Sequence, residues 1–226
     1  MSRFSTARED KINIAVKRLN NILPLKQSQL SLSPLMNRLY QEILFSYIDI
    51  GRSLNRAEII SRVDSIEEVI ELFKEKDLVV FDEIGEPIGA YPFTMESRVH
   101  QLSVNGYQLN SMCALDALAV SPMFNKPVEI TSKCHVTDER VCVKQSAFNI
   151  LNLDEVTDLC FGINWGSASG SCCCANSLCG EMVFLKGEDV CSGWLNEDLE
   201  NREVFNLMDA IKFASLFFKP VIENEI

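Results

Sequence analysis

Asp77-Leu78-Val79-Val80-Phe81-Asp82-Glu83-Ile84-Gly85-Glu86-Pro87-Ile88-Gly89-Ala90-Tyr91-Pro92-Phe93 is where the chain changes character. Leu78 to Phe81 is a short apolar run of strand type. Asp82 to Pro87 holds turn formers, and Ile88 to Phe93 returns as a second strand. Upstream of this hairpin the apolar residues recur at helical spacing, and from about residue 98 onward they alternate with a period of two. The hairpin therefore separates a helical front from a β-rich back. The expected class is α+β: an N-terminal three-helix winged-helix-like domain over residues 1–95, then a mixed β-sheet core with flanking helices over residues 96–226.

The helices announce themselves by stripe and cap. Ile12, Ala15, Val16, Leu19, Ile22 and Leu23 mark a helix over 9–23, closed by Pro24. Residues 27–33 read as a polar connection. Ser33-Pro34 then starts a helix that runs to about Ile50 and stops at Gly51. Asn55 or Ser53 caps the next helix, to about Val63. Ser65-Ile66-Glu67-Glu68 opens a third, to about Lys76.

Beyond the hairpin, strands are expected over 99–104 and 107–109 around an Asn105-Gly106 turn. A short helix follows from Ser111 to Val120, with Ser111 as its cap. Further strands are expected over 128–132, 140–143, 159–165 and 182–185. Residues 190–195 and 202–218 read as helices.

Three helices and a hairpin are the winged-helix order, which is often used on DNA. Charge argues against that use. Residues 34–93 carry six basic and twelve acidic side chains, and the hairpin tip is acidic. The whole chain has a net charge of -11, which disfavours phosphate backbones and anionic membranes alike. No apolar run reaches the length of a membrane span, and the first ten residues have no apolar signal segment. The expected setting is cytoplasmic, where the nine cysteines remain thiols. An odd count also prevents full pairing.

Free thiols turn attention to Ser111-Met112-Cys113-Ala114-Leu115-Asp116-Ala117-Leu118 and to Ser177-Leu178-Cys179-Gly180. Cys113 and Asp116, three apart on a helix, share a face. The helix start favours thiolate at Cys113, and Asp116 is placed to take its proton. The residues alone leave a second use open: a cysteine packed as a small apolar side chain and an aspartate bonded to backbone. Cys172-Cys173-Cys174 is a poor chelate, because neighbours on an extended chain point to opposite faces. His100 and His135 fall in no zinc-binding pattern. Trp165 reads as packing.

The segments Gly51 to Glu58, Asp77 to Phe93 and Met112 to Leu118, together with the Ser-Leu-Cys stretch before an apolar strand and Trp194, closely resemble alkylmercury lyase, the organomercurial lyase family of bacterial mercury resistance. The resemblance covers about Leu35 to Trp194. It implies that Cys113 and Cys179 are catalytic thiols and Asp116 the catalytic carboxylate. The same three would hold the substrate and product mercury, and Cys134 would be a buried structural cysteine. Gly180 stands where the family pairs two cysteines, which leaves Cys174 as the competitor for the second thiol.

The implied reaction is protonolysis of a carbon–mercury bond to a hydrocarbon and Hg(II), with no organic cofactor. The expected partners are an organomercurial substrate and a mercuric reductase or small thiol as Hg(II) acceptor, with no nucleic acid and no membrane. The alternative function is a non-catalytic cysteine-rich protein that binds or senses heavy metal.

Overall fold

The structure, a computed structural model, describes residues 3–167 and 177–223. Five helices come first: α1 (Arg3–Ile22), α2 (Leu25–Leu30), α3 (Pro34–Ile50), α4 (Arg56–Ile60) and α5 (Ile66–Glu75). The expected signals operate at their ends. Ser33 Oγ accepts the Met36 N–H at 3.3 Å. Asn55 and Glu58 form a reciprocal capping box around α4. Ser65 Oγ accepts the Glu68 N–H at 3.3 Å. Gly51 ends α3 at φ 75°, and a Cβ there would lie 2.4 Å from the Tyr107 ring, so the position requires glycine twice over.

Eight strands then form one sheet: β1 (Val80–Phe81), β2 (Pro87–Ala90), β3 (Phe93–Thr94), β4 (His100–Val104), β5 (Tyr107–Ser111), β6 (Pro127–Lys133), β7 (Arg140–Ser146) and β8 (Asn149–Ile150). Their order is β1-β2-β3-β5-β4-β6-β7-β8. A second sheet has the order β10 (Met182–Lys186), β9 (Leu159–Asn164), β11 (Arg202–Asn206). Every ladder between these strands is antiparallel. The parallel element is an isolated bridge, Cys134 to Phe184, which ties the β6–β7 turn of the large sheet to β10 of the small one. The fold is α+β, as the change of period at the hairpin predicts.

Three sequence expectations need correction. The connection over 27–33 is largely helical, because Leu25 and Gln29 are buried on α2 as it packs against α8 (Leu207–Ile222). The return strand over 88–93 is two strands, reversed at the cis peptide Tyr91–Pro92 so that Gly89 pairs Thr94 and Ala90 pairs Phe93. The helix expected over 202–218 begins late. Arg202 to Asn206 alternate as β11 against β9, and the Asn206 side chain then accepts the Asp209 N–H at 3.0 Å to start α8. The pairing of β11 needs a partner strand about forty residues upstream, and local helical spacing carries no trace of such a partner.

The centre of the molecule is α6 (Ala114–Phe124), all of whose residues are buried. It packs against α8, β10 and the inner face of the large sheet. An apolar helix without a polar face belongs inside. Its start is fixed by β5, whose last residue, Ser111, pairs with Phe93 on one side and His100 on the other. Its end is fixed by rings: Tyr47 of α3 stacks on Phe93 at 4.7 Å, and Phe93 meets Phe124 at 5.6 Å. Helix α7 (Glu188–Asn196) covers the small sheet. Among the described residues no helix is long and apolar enough to cross a membrane.

Pro122 lies inside α6 and cannot donate to the Leu118 carbonyl four residues back. Gln145 of β7 supplies the missing donor. Its Nε2 reaches Leu118 O at 3.1 Å and Ala147 O at 2.8 Å. Gln145→Leu leaves the buried carbonyl unpaired, so it is expected to lose about 1–3 kcal/mol in urea denaturation. An unchanged midpoint would show that the contact carries no weight.

A buried thiol and carboxylate cluster as candidate active site

Cys113 is the N-cap of α6. It has extended backbone, its carbonyl accepts the Ala117 N–H at 3.1 Å, and its sulfur accepts the Asp116 N–H at 3.3 Å. This corrects the expected cap at Ser111. The sulfur stands in for the usual cap oxygen, so the helix start itself aims the thiol. Asp116 lies in the first turn, close to the same sulfur. Cys179 comes from a distant stretch. It sits in a 3-10 turn, Leu178–Glu181, that runs directly into β10, and the Cys134–Phe184 bridge holds that strand against the large sheet.

The ligand atoms of Cys113, Asp116 and Cys179 all lie within 4.8 Å of one another, and all three residues are buried. Among the described residues they are the one group of three or more His, Cys, Asp or Glu side chains so arranged. The sequence-expected site residues are therefore together. Cys172, Cys173 and Cys174 lie outside the described residues. Cys134 is buried, with its sulfur accepting the Lys186 N–H at 3.3 Å, one residue beyond Leu185.

Burial dominates the electrostatics. It pushes the Cys113 thiol up to about 12, against a hydrogen bond from Cys179 that lowers it and with the Asp116 charge raising it further. The expected thiolate at the helix start is overturned. The dipole's contribution is smaller than the cost of an ion in this interior. Burial likewise raises Asp116 to about 7, against hydrogen bonds with Cys113 that lower it. Neither carboxylate oxygen has a well-formed hydrogen bond among the described residues. The cluster thus sets the raised Cys113 thiol beside a carboxyl poised to gain or lose a proton near neutral pH. That state holds both a proton source and a proton carrier.

Cys179 opens onto a cavity of about 250 Å³ shared with Arg98, His100, Met112, Lys133 and Phe184. This is below the roughly 300–1,000 Å³ of common small-molecule sites, so it admits a small ligand. A larger cavity, of about 460 Å³, lies over β6 and β7 between Glu129, Arg140, Cys142, Lys144 and Asp158. It touches none of the three cluster residues.

His100, Met112 and Arg98 escape a reading of the sequence. Met112 had a signal, since a soft thioether adjoins Cys113. His100 had none: it is joined to Ser132 at 2.8 Å between Nδ1 and Oγ, and burial holds it neutral, down to about 4. That pairing follows from the β4–β6 register, in which Gln101 faces Thr131.

Comparison with known proteins gives one consistent answer. Residues 93–219 match the family model described as alkylmercury lyase. The alkylmercury lyase of Staphylococcus epidermidis is 25% identical over 149 residues, 66% of this chain and 67% of that protein. That of Streptomyces lividans is 26% identical over 117 residues, 52% of this chain and 53% of that one. The crystal structure of the mercury-bound form of MerB2 superposes with a TM-score of 0.70 at 18% identity, covering 88% of this chain and 98% of that one.

Proposed function

Because this chain belongs to the alkylmercury lyase family, we propose that it cleaves the carbon–mercury bond of small organomercurials at the Cys113–Asp116–Cys179 cluster. The observation that carries this reading is the meeting of two thiols and one elevated carboxyl in a buried site beside a small cavity. Thiolate is the softest donor a side chain offers, and mercury is a soft acceptor.

The reaction balances without any further reagent. One thiol displaces the ligand X of R–Hg–X, and its proton leaves with X. The second thiol gives its proton to ionised Asp116 as its sulfur bonds to mercury. Asp116 then delivers that proton to carbon as the carbon–mercury bond breaks. The sum is R–Hg–X plus two thiols giving RH, HX and Hg(II) held between two sulfurs. Asp116 serves as base and then as acid, which suits a group near 7 rather than near 3.8. No organic cofactor is consumed. Hg(II) then passes to a small thiol or to a mercuric reductase.

Phenylmercury incubated with the protein is expected to release benzene stoichiometrically with enzyme-held Hg(II), read by gas chromatography and metal analysis. Hg(II)-type binding without benzene would end the lyase reading and leave sequestration in its place.

A further inference from the structure

A second pair of thiols lies outside the cluster. Cys160 is on β9 and Cys191 on α7, and neither has a place in the chemistry above. Both belong to the face of the small sheet that α7 covers. There Cys191 packs with Val183, Leu185 and Trp194, and Cys160 lies against that group. The register explains the meeting. Leu185 pairs with Cys160 across β10 and β9, so their side chains share a face, and the Leu185 carbonyl accepts the Cys191 thiol at 3.7 Å. The two cysteines are thus neighbours in one packed group. Both are free, with Cys191 buried and Cys160 half-buried, so the pair is reached from outside through Cys160.

Two neighbouring cysteines specify a ligand by what is missing. A structural zinc site needs four donors. Among the described residues no third His, Cys, Asp or Glu completes a group at this pair. The site therefore suits a soft ion content with two thiolates. The pair also lies behind the cavity that receives Cys179. β10 is the shared wall, since Val183 both lines that cavity and packs in the Cys191 group. Cys134 lines the same cavity, and its sulfur accepts the N–H of Lys186, next to Leu185.

We infer that Cys160 and Cys191 form a second, non-catalytic site that holds Hg(II) as a two-coordinate bis-thiolate. Binding replaces the two thiol protons with one metal ion and releases both protons. When the ion arrives from another dithiol, those protons return to the sulfurs that gave it up. The source of the ion rests on the lyase reading, but occupancy of the site does not. Cys160 rotates about its Cα–Cβ bond to admit the ion, which its partial exposure permits.

The test uses Hg(II) chloride directly. The full-length Cys113→Ser/Cys179→Ser protein is given one equivalent of Hg(II) with excess 2-mercaptoethanol. It is then alkylated with iodoacetamide, and Cys160 labelling is read by peptide mass spectrometry. Chelation by two linked thiols outcompetes single ones, so Hg(II) is expected to suppress Cys160 labelling by about tenfold or more. Adding Cys191→Ser, or Cys191→Ala if packing beside Trp194 requires it, is expected to restore labelling.

Labelling of Cys160 unaffected by Hg(II), or suppression that survives loss of Cys191, overturns the site. So does a Cys160–Cys191 disulfide that persists in the metal-free protein under the same excess of 2-mercaptoethanol. Benzene release by Cys160→Ser/Cys191→Ser, with Cys113 and Cys179 intact, is expected to match the unsubstituted protein. Absence of benzene from both would count against the lyase reading alone.

Discussion

Asp116→Asn is expected to lower benzene release from phenylmercury by about 10²–10⁴-fold, the usual worth of a positioned acid–base group, while the protein still binds Hg(II) through its sulfurs. Asparagine keeps the shape of the side chain and removes the proton carrier. The free enzyme needs Asp116 ionised to accept the thiol proton, so the unsubstituted protein should lose kcat/KM as pH falls through about 7. The acid limb should be missing from whatever activity the variant retains. A limb that persists in Asp116→Asn would assign it to another group.

The same substitution is expected to stabilise the fold, in a pH window fixed by the same shift. Asp116 is raised from 3.8 to about 7 on folding. A carboxyl raised in the folded state favours folding only while it is protonated. That advantage over an ionising reference is lost as pH rises from about 4 through 7. Asparagine has no such loss. Relative to the unsubstituted protein, the variant should gain on the order of 4 kcal/mol by pH 8 and little of this near pH 4. Urea denaturation of both proteins across that range measures the difference. A gap that does not grow with pH would mean the carboxyl is not buried as described. Activity and stability moving in opposite directions is the mark of a group held at a cost for function.

Cys179→Ser is expected to lose more activity than the roughly 10–100-fold that changing an outer-shell partner of a metal costs, because it removes a sulfur that bonds to mercury. Cys113→Ser should fall as far. A hydroxyl is a hard donor and a poor proton source beside a carboxyl near 7. Cys174→Ser is expected to stay close to full activity. The contrast decides between the two thiols that the sequence leaves in competition. Cys179 lies within reach of Cys113 and Asp116, whereas Cys174 falls outside the described residues. Benzene release preserved in Cys179→Ser and lost in Cys174→Ser would transfer the second sulfur to Cys174 and require a different cluster.

Much of the frame is legible because its causes are local. Ser33-Pro34, Gly51 and the Asn105-Gly106 turn each act through the backbone of their own neighbourhood, and each appears where the sequence puts it, while the structure chooses Asn55 over Ser53 as the cap of α4. β11 was not legible. Arg202 to Asn206 are strand only because β9 offers an edge, and Asn206 had to be recognised as the true helix cap. The helix expected to end at Val120 runs on through Pro122 to Phe124, because Gln145 from another element supplies the donor that Pro122 lacks.

The site divides along the same line. Sequence alone determined the residue types: a thiol and a carboxyl one helical turn apart, a second thiol before an apolar strand, and an acidic chain of net charge -11. These follow from spacing and from charge, which are properties of the chain itself. Only the tertiary structure decided that Cys179 meets Cys113 and Asp116, that burial raises the Cys113 thiol, and that Cys160 and Cys191 share one packed group. Those outcomes depend on strand register and on the exclusion of water. Both belong to the packed interior, and neither has a counterpart along the chain.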